Sequence, residues 1–205
     1  MGEQKVLNCT AFIENQCVAS GNLLKVARKA KNIIDQDGQA SVLIFDDVTG
    51  ELVEVDFRDN IEEVLERLEK PTAEGASANA SLDPDQRSQR GPGRPKLGVV
   101  SREVTLLPRH WDWLNSQPGS ASVALRKLIE EARRVNSNRD KVRHSQEVAY
   151  RFMSAMAGNF PGFEETTRAL FAGDFKNFHS LMALWPNDIR DYALKLAEAA
   201  FQNQV

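Results

Sequence analysis

Apolar and polar positions along this chain change period several times, and each change marks an element. Leu7 to Ile13 and Gln16 to Ser20 are short β-prone runs on either side of Glu14-Asn15, the pattern of a hairpin with a polar turn. In that hairpin Cys17 faces Phe12 across the ladder, while Cys9 points to the other side of the sheet. Leu23, Val26, Ala27, Ala30, Ile33 and Ile34 then recur at helical spacing, with Gly38 just past the end. Ser41 to Phe45 and Glu51 to Phe57 read as two further strands around the loop Asp46-Asp47-Val48-Thr49-Gly50, where glycine accepts a positive φ most easily. Asn60 with Glu63 three residues on opens another helix, whose apolar stripe is Ile61, Val64, Leu65 and Leu68.

The periodicity then stops. Residues 70–93 are dominated by Pro, Ala, Ser, Gly, Asn, Asp and Gln, with Leu82 alone among them as a large aliphatic side chain. Such a stretch cannot bury enough apolar surface to offset the entropy of ordering it, so a disordered linker is expected. Pattern returns with Glu103-Val104-Thr105-Leu106-Leu107, which is β-prone, and with Pro108, which suits the first turn of a helix. Trp111, Trp113 and Leu114 give that helix a bulky face, and Pro118-Gly119 ends it. Ser120 can cap the next helix, with Ala124, Leu125, Leu128, Ile129 and Ala132 as the expected buried stripe. Asn138 to Ala157 reads as a further helix, followed after Gly158–Gly162 by three shorter ones over Phe163–Ala172, Phe175–Leu184 and Ile189–Phe201. The expected architecture is α+β. A small α+β unit spans 1–69, a linker 70–93, a basic strand-helix-helix segment 94–136, and a helical region 137–205.

Charge sharpens this division. The net formal charge of −3 over 205 residues hides a balance of −7 in residues 1–80, +6 in 81–145 and −2 in the remainder. A basic middle between acidic ends suits nucleic-acid binding by the middle, although an exposed helix rich in Arg and Lys would give the same balance. No apolar run approaches membrane-spanning length, and Met1 to Val6 does not read as a secretory signal, so a cytoplasmic protein without membrane contact is expected.

Catalytic and metal chemistry find little support. Cys9 and Cys17 are the two cysteines, without a His cluster to complete a zinc site, and buried free thiols are expected. Asp46-Asp47 opening a hairpin loop is turn chemistry before it is a metal site. His110, His144 and His179 are scattered, and His179, among Phe and Leu, reads as a core or rim residue. There is no Gly-rich phosphate loop and no nucleophile-base pairing, so neither an enzyme nor a bound cofactor or metal is expected, and no small-molecule ligand is indicated.

The order strand, proline-started helix, Gly119-Ser120 turn, basic amphipathic helix resembles the ribbon-helix-helix family of bacterial DNA-binding proteins over about a fifth of the chain. That resemblance implies a homodimer in which two strands pair antiparallel and lie in the major groove of double-stranded DNA. It implies also that Ser120 and the amides near it approach a phosphate at the positive end of the second helix. With Val104 and Leu106 facing the core, Ser101, Glu103 and Thr105 point outward; with the alternation flipped, Arg102 and Val104 do. Glu103 can accept a hydrogen bond from cytosine but repels phosphates. Just upstream, Arg90-Gly91-Pro92-Gly93-Arg94-Pro95-Lys96 is similar to the core of AT-hooks, with Pro92 where those carry Arg. By that likeness Arg90, Arg94 and Lys96 form an accessory arm for the minor groove or the phosphates.

On a wider scale, Gly93–Val100, Glu103–Leu114, the Phe45-Asp46-Asp47-x-Thr49-Gly50 loop and Trp185-Pro186-x-Asp188-x-Arg190-Asp191 resemble a bacterial family known as domain-of-unknown-function 2239. The family implies a bacterial origin and supplies no activity. The leading expectation is a DNA-binding protein, a transcriptional regulator in type. The alternative is a dimeric, non-catalytic adaptor with no DNA role.

Overall fold

A computed structural model describes residues 7–69, 100 and 102–202. They fall into two compact units, residues 7–69 with 137–202 in one and residues 100–136 in the other. The linker expected over 70–93 and the arm residues Arg90, Arg94 and Lys96 lie outside the described residues.

The first unit is built on a three-stranded antiparallel sheet of β1 (Asn8–Ile13), β2 (Gln16–Asn22) and β3 (Val42–Asp46), in the order β2-β1-β3. The expected hairpin is present, with Phe12 opposite Cys17. The register slips between Ala11 and Phe12, where Ala11 pairs with Ala19 and Phe12 with Cys17, leaving Val18 as the extra residue of a bulge. Alternation along β1 separates the two faces. Cys9 and Ala11 pack with Ala19, Ile44, Val26 and Ala30 on one side, and Phe12 joins Phe45 in the larger core on the other. Both cysteines are free, Cys9 buried as expected and Cys17 exposed against expectation, because the turn at Glu14-Asn15 leaves the start of β2 uncovered.

Helix α1 (Leu23–Gln36) starts where Asn22 accepts a hydrogen bond from the Leu24 amide at 2.8 Å, an N-cap of the usual kind. Its buried apolar residues Val26, Ala27 and Ala30 lie at the spacing the sequence shows. Helix α2 (Ile61–Glu69) opens with the Glu63 amide donating to Asn60 Oδ1 at 3.0 Å. The strand expected over Glu51–Phe57 is not formed beyond a single bridge, Leu52 opposite Phe45. The alternation of Val53, Val55 and Phe57 is real, but it serves packing against the smaller apolar cluster rather than a ladder.

The C-terminal helices supply the rest of the core. Helix α4 (Ala121–Met156) is one helix where two were expected, because Val135 to Asn138 includes neither glycine nor proline. The Asn136 amide, which could compete with the helix, instead donates to Ala132 O at 2.9 Å. Helices α5 (Phe163–Ala172), α6 (Phe175–Leu181) and α7 (Asn187–Ala197) follow, with 3₁₀ turns at Met182–Leu184 and Glu198–Ala200. Phe152 of α4 meets Phe45 and Tyr192 edge to face at 5.0 and 4.7 Å between centroids, and Phe12 lies 5.4 Å from Phe152. Each such pair contributes about 0.5–1.5 kcal/mol beyond its area. The N-terminal sheet and the C-terminal helices therefore share a single core. His179 is exposed rather than buried, its ring 5.9 Å from that of Phe175.

In the second unit, α3 (Pro108–Ser116) begins at proline as expected and is followed by the first turns of α4. Two sequence expectations fail here. Glu103–Leu107 forms no strand, and Leu107 is extended at φ −67° and ψ 150°. A strand needs a neighbour to supply its hydrogen bonds, and among the described residues none pairs with it. Of the stripe expected to be buried, only Ala124 is; Leu128 and Ile129 are 42% and 54% exposed, and Ala132 is exposed too. Trp111 and Trp113 are likewise exposed, leaving Leu114 as the buried residue of α3. Two short helical segments cannot by themselves cover a stripe this wide.

Candidate functional site

Chemistry in the first unit gathers at the tip between β3 and Leu52. Asp46 Oδ1 accepts from the amides of Val48 and Thr49 at 2.6 and 3.4 Å, so it closes the turn as expected. Gly50 completes the turn at φ 68°, and a Cβ there would lie 2.4 Å from the Val148 carbonyl oxygen. Glycine thus lets the loop press directly on α4. From that helix Arg151 donates to Thr49 O at 2.8 Å. His144 Nε2 lies 3.0 Å from Val48 O; a carbonyl can only accept, so Nε2 carries the hydrogen.

Asp47, one residue beyond the turn-closing aspartate, has a different role. Its Oδ1 accepts from Thr10 Oγ1 and from the Tyr192 hydroxyl, each at 2.8 Å, and its Oδ2 accepts from Lys195 Nζ at 2.7 Å. Because Thr10 spends its hydrogen on Asp47, Ser20 must donate to Thr10 Oγ1 at 3.1 Å. Burial works against ionisation of Asp47, but the bonds from Lys195, Thr10 and Tyr192 outweigh it and hold the carboxyl below its ordinary range. Burial, then the bond to Asp47, pushes the Tyr192 phenol far up. Both groups are therefore locked in one protonation state at neutral pH, which suits a structural clasp better than acid-base catalysis. Neither Tyr192 nor Lys195 stands out in the sequence; their i,i+3 placement on one helix is the one signal that could have joined them. Among the described residues no group of three or more His, Cys, Asp or Glu is placed to hold a metal ion.

Beside the clasp lies an open cavity of about 340 Å³. Its walls are Asp47 and Val48 of the loop, Lys141, His144, Ser145 and Val148 of α4, and Lys195, Leu196, Glu198, Ala199 and Gln202 further along the chain.

The residues expected to meet DNA lie elsewhere. Arg102, Glu103 and Thr105 are all exposed in the irregular segment before α3. Ser120 is exposed at the start of α4, its carbonyl accepting from the amides of Val123 and Ala124 at 2.8 and 3.1 Å. Gly119 before it has φ 96°, the left-handed turn that its sequence position suggests.

The fold and the clasp define an α+β protein whose antiparallel sheet is fastened through one polar loop to the C-terminal helices. Residues 8–197 match a bacterial family, domain of unknown function 2239, described as an uncharacterized protein conserved in bacteria, and the chain belongs to it. No curated protein and no solved structure matches. Two of the four stretches that carry the resemblance, the Phe45–Gly50 loop and the one beginning at Trp185, act in assembly. Asp47 reaches α7, and Asp188 accepts from the Cys17 amide at 2.7 Å, while the Trp185 indole donates to Pro161 O at 3.0 Å.

Proposed function

We propose that this chain is a cytoplasmic, non-catalytic DNA-binding protein of the transcriptional-regulator type, which dimerises through residues 100–136. One observation carries the reading. In the second unit Leu114 and Ala124 are buried while Val104, Leu107, Trp113 and Ile129 are about half exposed or more. An apolar face of this size on a small unit marks an interaction surface. A second copy supports it best, because pairing Glu103–Leu107 with its own counterpart would supply the missing ladder and cover the same side chains. In that dimer Thr105 with Glu103, or Arg102 in the other register, faces the major groove, and Ser120 approaches a phosphate. Arg90, Arg94 and Lys96 extend the contact as a basic arm.

Sedimentation and fluorescence anisotropy with genomic DNA fragments at two salt concentrations test this. A homodimer at micromolar concentration is expected, with binding that weakens steeply as salt rises. The double variant R94A/K96A is expected to bind more weakly. A dimer indifferent to all DNA would instead support the adaptor, and a monomer would end both readings.

A further inference from the structure

We propose that the cavity beside the Asp47 clasp binds a small zwitterion with an apolar side chain, in chemical class an apolar α-amino acid. The site belongs to the first unit alone and stands or falls separately from DNA binding. Its size, about 340 Å³, is that of a small-ligand pocket, at the lower end of the usual range. Its walls are held before any ligand arrives. The loop is fastened to α4 by His144, Arg151 and the Gly50–Val148 contact, and to α7 by Tyr192 and Lys195. A site whose walls are already fixed loses little entropy on binding.

An account of the lining groups gives the ligand's character. Asp47 is closed, both oxygens being engaged. Ser145 is closed as well, since its hydroxyl donates to Leu196 O at 2.7 Å and accepts from the Ala200 amide at 3.1 Å. His144 has spent Nε2 on Val48. What remains is Lys141 on α4, Glu198 on the final 3₁₀ turn, the Gln202 amide, the second ring nitrogen of His144 and the donors of Lys195 that Asp47 leaves over; among these Lys141 and Lys195 are cations and Glu198 is an anion. Lys141 and Glu198 line one cavity with opposite charges, and neither forms an ion pair among the described residues. A lone anion would be repelled by Glu198 and a lone cation by Lys141 and Lys195. A molecule bearing both charges answers each: its carboxylate faces Lys141 with Lys195, and its ammonium faces Glu198. Val48, Val148 and Leu196 offer the apolar surface for its side chain.

The test uses the full-length chain and amide NMR titration, with L-leucine and L-phenylalanine as probes. Hydrocinnamate lacks the ammonium, phenethylamine lacks the carboxylate, and L-serine lacks the apolar body. Saturable shifts at Lys141, His144 and Gln202 are expected with at least one of the two apolar amino acids, and affinity at least about tenfold lower for all three comparators. Lys141→Met should weaken amino-acid binding about tenfold while leaving phenethylamine unaffected. Glu198→Gln should do the same while leaving hydrocinnamate unaffected. Both side chains are exposed, so the folded state tolerates either change. The proposal is overturned if neither amino acid saturates, if the comparators bind as tightly, or if either variant binds like the parent.

Discussion

The Tyr192 hydroxyl donates a 2.8 Å hydrogen bond to Asp47 Oδ1 across 145 residues of sequence, joining the loop after β3 to α7. Thr10 and Lys195 bind the same carboxylate, so the contact is one arm of a three-donor clasp. Removing the carboxylate leaves all three donors without their partner at once. Asp47→Ala should cost about 2–4 kcal/mol, and Tyr192→Phe, which removes one arm, about 1–2 kcal/mol. Urea denaturation measures both, and the double variant should cost less than the sum because the two groups share a bond.

Gly50 tests whether the loop is pressed on α4 as tightly as the geometry says. Alanine there faces two penalties: φ 68° is unfavourable for a residue with a Cβ, and the added carbon would meet the Val148 carbonyl oxygen at 2.4 Å. Gly50→Ala should therefore destabilise by about 2 kcal/mol or more. Gly38→Ala, where an added Cβ meets nothing within 4 Å, is the matched control and should leave the denaturation midpoint almost unmoved.

Stability should fall at both ends of the pH scale, for opposite reasons. The Asp47 carboxyl is held below its ordinary range, so its contribution is present above the unfolded value of about 3.9 and is lost as pH falls through the lowered folded value. Tyr192 and Cys9 shift the other way. Burial pushes the Cys9 thiol up to about 12, helped by the Asp46 and Asp47 carboxylates, and burial followed by the Asp47 bond raises the Tyr192 phenol. Their contributions are complete below the unfolded values of about 8.5 and 10 and disappear as pH climbs past them. Urea midpoints measured across pH should show a plateau near neutrality, with Asp47→Asn flattening the acid side and Tyr192→Phe the alkaline side.

The two thiols should differ in reactivity. Cys17 is exposed and Cys9 has no accessible surface, so a maleimide should label one thiol in the native chain and two after denaturation. Burial, with the Asp188 carboxylate next, raises the Cys17 thiol, so native labelling should be slow at neutral pH and quicken as pH rises. Cys17→Ser should abolish it. Mass spectrometry distinguishes these outcomes.

Elements whose signal is local were legible in the sequence. The β1–β2 hairpin, its pairing of Phe12 with Cys17, the Asn60 start of α2, the Pro108 start of α3 and the turn closed by Asp46 each depend on residues a few positions apart. Where reading failed, the deciding factor was packing or backbone continuity, which residue type alone does not record. Val53, Val55 and Phe57 alternate like a strand, yet packing alone requires that alternation, so Glu51–Phe57 joins no ladder beyond Leu52. The helix expected from Asn138 merges into α4 because weak helix formers without glycine or proline do not outweigh continuous backbone hydrogen bonding.

Taken alone, the sequence determined the α+β class, most of the element boundaries, the basic middle and the family, because period, capping and motif are written in consecutive residues. Only the tertiary structure decided that Phe12 and Phe45 share a core with Phe152 and Tyr192, that Asp47 within its turn also serves as a clasp to α7, and that Lys141 and Glu198 line one cavity. Those relationships join residues about a hundred or more positions apart, except for the last, where two helical segments converge. Chain periodicity carries no record of which distant surfaces meet; that is set by the shape and charge of the faces once they are formed.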